Sequence, residues 1–311
     1  MVSQLPKTLR LPFSELKEYD LETAILCTLA YSDVFDFPLT AKEVHRYLIG
    51  YKATPDEVKA ELFSMQARTV ILSQEDLFAL PGRELNFSNR QKRFSYSSML
   101  WRESDRYGTW ISRLPFIRMV AATGALVSNN VDTGADLDYF VITNPGWLWT
   151  VRAMILAMDR IASRTGRRAH LCPNYIITTT SLELPDQDLF TAQEMARMVP
   201  ISGLGMYRRF RHKNKWTDVF LPNAQNDPWA LASKNMENQS KATAEFFFNN
   251  PISRRIEKWE MKRKIRKLSD MAKDNHETRF SADLCKGHFD SHKHHTLLAF
   301  ERRIQDLGLV L

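Results

Sequence analysis

Residues 118–143, RMVAATGALVSNNVDTGADLDYFVIT, read as a strand, a turn, a loop and a second strand. Met119 to Ala122 form a short apolar run that stops at Thr123-Gly124, and Tyr139 to Ile142 form another, entered through Asp136-Leu137-Asp138. Side chains two apart on a strand share a face. Asp136 and Asp138 therefore present two carboxylates side by side, while Leu137 points into the core. Strands disfavour aspartate, and two unpaired carboxylates are costly to bury, so a strand entry holding both calls for a counter-charge. A hard cation supplies one: Mg²⁺ takes one or two protein carboxylates and completes its shell with water and phosphate oxygens.

A glycine followed by a small residue, a spacer of about ten residues and then Asp-apolar-Asp on a strand resembles the signature of the polymerase-beta-like nucleotidyltransferase superfamily, with Gly124-Ala125 and Asp136-Leu137-Asp138 at the matching positions. The resemblance implies a small mixed sheet with flanking helices and Mg²⁺, or Mn²⁺ in its place, held by Asp136 and Asp138. It implies transfer of a nucleoside monophosphate from an NTP to a hydroxyl of an acceptor, which is a small molecule, an RNA or a protein. Thr123, Gly124, Ala125, Ser128 and Asn129 are then the candidate phosphate contacts. Two positions depart from the pattern. Ala125 stands where serine is usual, and Asn174 stands on the next strand-like run, Leu171 to Thr178, where a third carboxylate is expected. Asparagine ligates through its amide oxygen but takes no proton near neutrality. Glu183 and Asp186 are the nearby substitutes.

The flanking sequence sets an α+β architecture. Residues 1–19, with two prolines, read as a leader. Over 20–86, Asp20, Thr40 and Thr54 cap three helices, with Glu43 three residues after Thr40 and Pro55 at the first position of the third helix, and a hairpin closes the segment. This pattern resembles a winged helix. Its third helix carries Asp56, Glu57 and Glu61, which suits a partner or substrate-positioning duty better than DNA phosphate. The α/β core spans 87–190, with a helix from Asn89 to Leu114 leading into the central strand and an amphipathic helix from Trp147 to Thr165 packed on the sheet. Arg152 on the latter is a candidate phosphate contact.

Residues 191–311 read as a helical, basic region. From Arg254 to Lys273 there are nine basic and three acidic residues, nearly all of the chain's net +7. One helix therefore forms a local electropositive surface suited to nucleic acid or an anionic substrate, with Ile252, Ile256 and Trp259 as one packing stripe and Met261, Ile265 and Leu268 as another. Arg208 to Lys215 form a second basic run. Cys285, His288, His292, His294 and His295 lack paired zinc spacing and read as surface or packing. Three distant cysteines fit reduced thiols, no window has the apolar length of a membrane span, and the N-terminus lacks the core of a signal peptide; a cytoplasmic protein is expected.

Two alternatives to catalysis follow from the same residues. Ala125 and Asn174 fit a nucleotidyltransferase-fold module that binds nucleotide without turnover. The winged-helix-like segment fits a DNA-binding regulator.

Overall fold

A computed structural model describes residues 19–132, 134–165, 170–225, 239–272, 277–287 and 292–309, so residues 1–18 of the expected leader and His288 lie outside the described residues. The elements are α1 (Leu21–Asp33), β1 (Leu39–Thr40), α2 (Ala41–Arg46), α3 (Pro55–Ala67), β2 (Leu72–Gln74), β3 (Leu77–Ala79), α4 (Leu85–Ser112), β4 (Ile117–Ala122), β5 (Leu137–Thr143) and α5 (Leu148–Ala162). There follow β6 (Leu171–Thr178), α6 (Leu189–Arg197), β7 (Val199–Ser202), α7 (Leu204–Lys213), α8 (Thr217–Phe220), α9 (Gln239–Phe248), α10 (Pro251–Met271), β8 (Arg279–Phe280), β9 (Leu284–Lys286) and α11 (His292–Asp306). The architecture is α+β. Among the described residues no helix is long and apolar enough to cross a membrane.

The helix starts follow their caps. Asp20 accepts the Thr23 amide at 2.8 Å, and the Thr40–Glu43 and Thr54–Glu57 pairs close reciprocal capping boxes at α2 and α3. β1, β3 and β2 form a three-stranded antiparallel sheet beside these helices. α1, however, is buried from Ala24 to Asp33 on every side and not along one stripe. Its core continues into α6, α8 and α11 through Phe190, Phe220, Leu297, Phe300 and Ile304. A helix apolar all round needs cover all round, and the remote helices provide it. The same junction buries the Asp33 carboxylate between Arg303 at 2.6 Å and Arg83 at 2.9 Å.

The larger sheet has the order β7-β4-β5-β6-β9-β8. β4 and β5 are antiparallel, and β5 and β6 are parallel, joined by α5 as the crossover helix. Alternation along β5 sends Leu137, Tyr139 and Val141 to the face covered by α4, α5 and α10, and Phe140 and Ile142 to the face covered by α6 and α7. Between Asp138 and Phe140 the register with β6 shifts, so that Asp138 faces Cys172 while Phe140 faces Tyr175. A bulge of this kind re-aims the side chains beside it.

Three expectations are revised. α4 begins at Leu85 and not Asn89; Glu84 at its cap makes no side-chain bond, so the sequence carries no start signal there. The region expected to be helical after residue 191 also supplies β7, β8 and β9, of four, two and three residues, which are too short to show alternation. On α10 only the Met261, Ile265 and Leu268 stripe packs, while Ile252 and Trp259 are 70% and 63% exposed.

Candidate functional site

One cleft, of about 590 Å³, opens where the β4–β5 hairpin meets the N-terminal helices, α6 and α11. Its acidic wall is built by β5 and β6. Leu137 is fully buried beneath it, and Asp136, Asp138, Cys172 and Asn174 all line the cleft. β4 turns into the wall at Gly124, whose φ of +70° is left-handed and whose added Cβ would collide with the Asp138 carboxylate. Gly124 to Ser128 then wind as a 3₁₀ turn that ends at Asn129 with φ +52°.

The predicted phosphate residues divide. Gly124, Ala125 and Ser128 line the cleft. Thr123 lies just beneath it: its amide donates to the Asp138 carbonyl at 3.0 Å, and its hydroxyl is buried without a partner. Asn129 is turned away, its side-chain oxygen accepting the Trp101 indole N–H at 2.8 Å, and Asn130 takes its place on the wall. The Asn130 amide donates to the Phe35 carbonyl at 3.0 Å and accepts from Arg93 at 3.0 Å, tying the turn to the N-terminal unit.

The third carboxyl of the cleft is Glu194, on α6. Its carboxyl stands beside the Gly124 amide N–H, which favours its charged form. Burial raises its proton affinity, with Arg197 and His292 pulling the other way. Glu183 and Asp186, the substitutes suggested by sequence, are elsewhere. Glu183 edges a separate surface hollow beside Arg279. Asp186 contacts Lys286 at 2.6 Å and Arg279 at 3.0 Å; burial pushes its carboxyl up, but these cations and Lys293 outweigh that and hold it below its ordinary value. Asn174 stays at the cleft, and its main-chain carbonyl accepts the Gly287 amide at 3.0 Å.

Asp136 and Glu194 share the cleft with Asp138. Asp138 is pushed up from 3.8 to about 7, first by burial and then by the charges of Glu194 and Asp136. Cys172 lies beside Asp138 and is pushed up to about 12 by burial and by the charges of Asp138 and Asp136, so it stands as a neutral thiol rather than a nucleophile. The donor set fits a hard cation. Asp136 and Asp138 offer adjacent carboxylate oxygens, Asn174 adds an amide oxygen, and a divalent charge would offset the repulsion that raises Asp138. Among the described residues no three His, Cys, Asp or Glu side chains form a complete metal cage, so the remaining ligands of such a cation are water or substrate.

The opposite wall was not foreseen. Tyr31, Phe35 and Phe37 come from α1 and the loop after it, and Arg197, His292 and His295 come from α6 and α11. The Arg197 guanidinium sits 4.1 Å from the Tyr47 ring centroid, which fixes its direction. The one sequence signal for this wall is Glu194 itself, an acid set between Ala192, Met195 and Ala196 on a helix capped by Asp188. Arg152 does not line the cleft; it lies beside the Cys285 thiol. In the second basic run Phe210 is fully buried, and Arg211 donates to the Ala224 carbonyl at 3.3 Å. Comparisons with protein families, curated proteins and solved structures give no match to this chain.

Proposed function

We propose that this protein is a Mg²⁺-dependent nucleotidyltransferase that moves a nucleoside monophosphate from an NTP to an acceptor hydroxyl. The observation that carries the reading is the meeting of the Gly124 turn with the Asp136–Asp138 pair at one end of a single cleft. The mixed sheet with its β4–β5 hairpin supports a nucleotidyltransferase-like core, and the three helices with a small antiparallel sheet support a winged-helix-like N-terminal unit.

Asp136 and Asp138 would hold the cation. Bound there, it neutralises charge on the phosphates and on the leaving pyrophosphate. Gly124 lets the main chain approach a phosphate oxygen, and Ser128 offers a hydroxyl donor beside it. Glu194 stands beside the Gly124 N–H that a phosphate would take, so nucleotide entry displaces its carboxylate and frees it. Raised above its ordinary range, the freed carboxylate is placed to accept the proton of the acceptor hydroxyl. Arg197, His292 and His295 face the acids and supply positive charge to the triphosphate, while Tyr31, Phe35 and Phe37 give a ring system somewhere to lie.

A second reading, nucleotide binding without turnover, is favoured by Ala125 and by the Glu194 carboxyl standing beside the Gly124 N–H. Calorimetry with each NTP, with and without Mg²⁺, on wild type and Asp136→Asn tests the site. The expected result is metal-dependent binding that the variant loses. Pyrophosphate release in the presence of candidate acceptors separates the two readings. Absence of metal-dependent binding for all four nucleotides would overturn both.

A further inference from the structure

The α9–α10 corner presents an apolar surface that nothing among the described residues covers. Phe246 and Phe247 are 79% and 71% exposed at the end of α9, and Ile252, Ile256 and Trp259 are 70%, 55% and 63% exposed on the first turns of α10. Soluble surfaces rarely gather large apolar side chains this densely. The two helices meet in a tight corner, where Asn250 caps α10 through the Ser253 amide at 3.0 Å and its side chain also donates to the Phe247 carbonyl at 2.8 Å. The corner between the helices is therefore fixed, and the Phe246 and Phe247 ring centroids lie 5.9 Å apart at its edge.

Charge is distributed around them in one sense. At about 100° per residue, Ile252, Ile256 and Trp259 fall within a sector of about 60°. Arg255, Lys262 and Arg266 border it on one side and Lys267 on the other, all exposed. Two of the three acids of the helix are withdrawn from this face, and the third, Asp270, is exposed on it about three turns beyond Trp259. Glu257 is buried against the start of α5, and Glu260 is buried and paired with Arg263 at 2.7 Å. Arg263 in turn lies 5.2 Å from the Trp259 ring centroid. The inner side of α10 is anchored on α5 through Met261, Ile265 and Leu268, so its outer face is held in place by the fold.

We propose that this corner docks the protein onto an anionic lipid bilayer, the phenylalanines, isoleucines and Trp259 entering the headgroup boundary while the flanking arginines and lysines meet lipid phosphates. Two exposed isoleucines on the same helix face as Trp259 and bordered by the bases favour a bilayer over a single-stranded nucleic acid, whose binding rests on cations and stacking rings. Membrane attachment at this corner makes no use of the cleft, and its success or failure is independent of nucleotide transfer.

Flotation of the full chain with vesicles of phosphatidylcholine alone, or containing a third phosphatidylglycerol, tests the proposal. The expected result is recovery with the anionic vesicles, falling at least tenfold in the double variant Ile256→Glu, Trp259→Glu, and severalfold in Arg255→Ser, Lys262→Ser. Circular dichroism and the thermal midpoint confirm that both variants fold. No recovery of the wild type with anionic vesicles overturns the proposal. So does recovery lost in the charge variant but kept in the apolar one, the pattern of a general polyanion site for which duplex or single-stranded nucleic acid would compete. A wild-type dimer that the apolar variant converts to monomer, with vesicle recovery unchanged, would assign the face to self-association instead.

Discussion

Asp138→Asn is expected to make the protein more stable at alkaline pH and no more stable in acid. The folded Asp138 carboxyl is pushed up from 3.8 to about 7, so it binds its proton roughly a thousandfold more tightly than in the unfolded chain. At about 1.4 kcal/mol for each tenfold, holding it charged within the fold costs on the order of 4 kcal/mol. The sign follows from proton counts. Below about pH 4 both states hold the proton and the cost is absent. Between about 4 and 7 only the folded state holds it, so stability falls as pH rises, and above about 7 the whole cost is present. Asparagine has nearly the same shape and no charge, so the variant should gain stability on the order of 4 kcal/mol at pH 8 and nothing at pH 4. Urea denaturation of both proteins at pH 4, 6 and 8 without divalent ions measures the gain. Adding Mg²⁺ at pH 8 should then raise the midpoint of the wild type alone. Equal wild-type and variant midpoints at pH 8, or a difference that does not change with pH, would refute the account of Asp138 as a carboxylate raised by burial and by its acidic neighbours.

Two further substitutions probe the supports of the site. Gly124→Ala meets both a left-handed φ of +70° and the Asp138 carboxylate, and should lose about 2 kcal/mol or more together with nucleotide binding, whereas Gly82→Ala, with φ +79° and open space around it, should lose only the backbone strain of about 1 kcal/mol; thermal melts and calorimetry compare them. Glu257 caps α5 by accepting the Trp149 and Thr150 amides at 3.1 and 2.6 Å, so Glu257→Gln should lower stability by about 1–3 kcal/mol, read as a lower denaturation midpoint with no change in the pH profile assigned to Asp138.

The residues legible in sequence are those whose environment is set locally. Asp136 and Asp138 share the cleft wall above buried Leu137 because a strand alternates every second residue, whatever surrounds it. The caps at Asp20, Thr40 and Thr54 are bonds across three residues. Glu194 was only half legible: an acid among apolar residues on a short helix signals a buried carboxyl, but its place beside Gly124 exists only once α6 folds back across the hairpin. The two apolar stripes of α10 looked alike in sequence; contact with α5 decided that Leu268 is buried and Ile256 is not. Asn129 was displaced by a similarly long-range event, the arrival of the Trp101 indole from α4.

The core that α1 shares with α11 has a consequence for synthesis on the ribosome. Asp33 and its partner Arg303 are 270 positions apart, and Phe300 and Ile304 cover the helix from the same remote segment. At roughly 5–20 residues per second, the apolar flank of α1 waits on the order of tens of seconds for its cover to be translated. During that interval the emerging N-terminal unit is a natural client for a chaperone, and a truncation that removes α11 would leave that flank permanently without its cover.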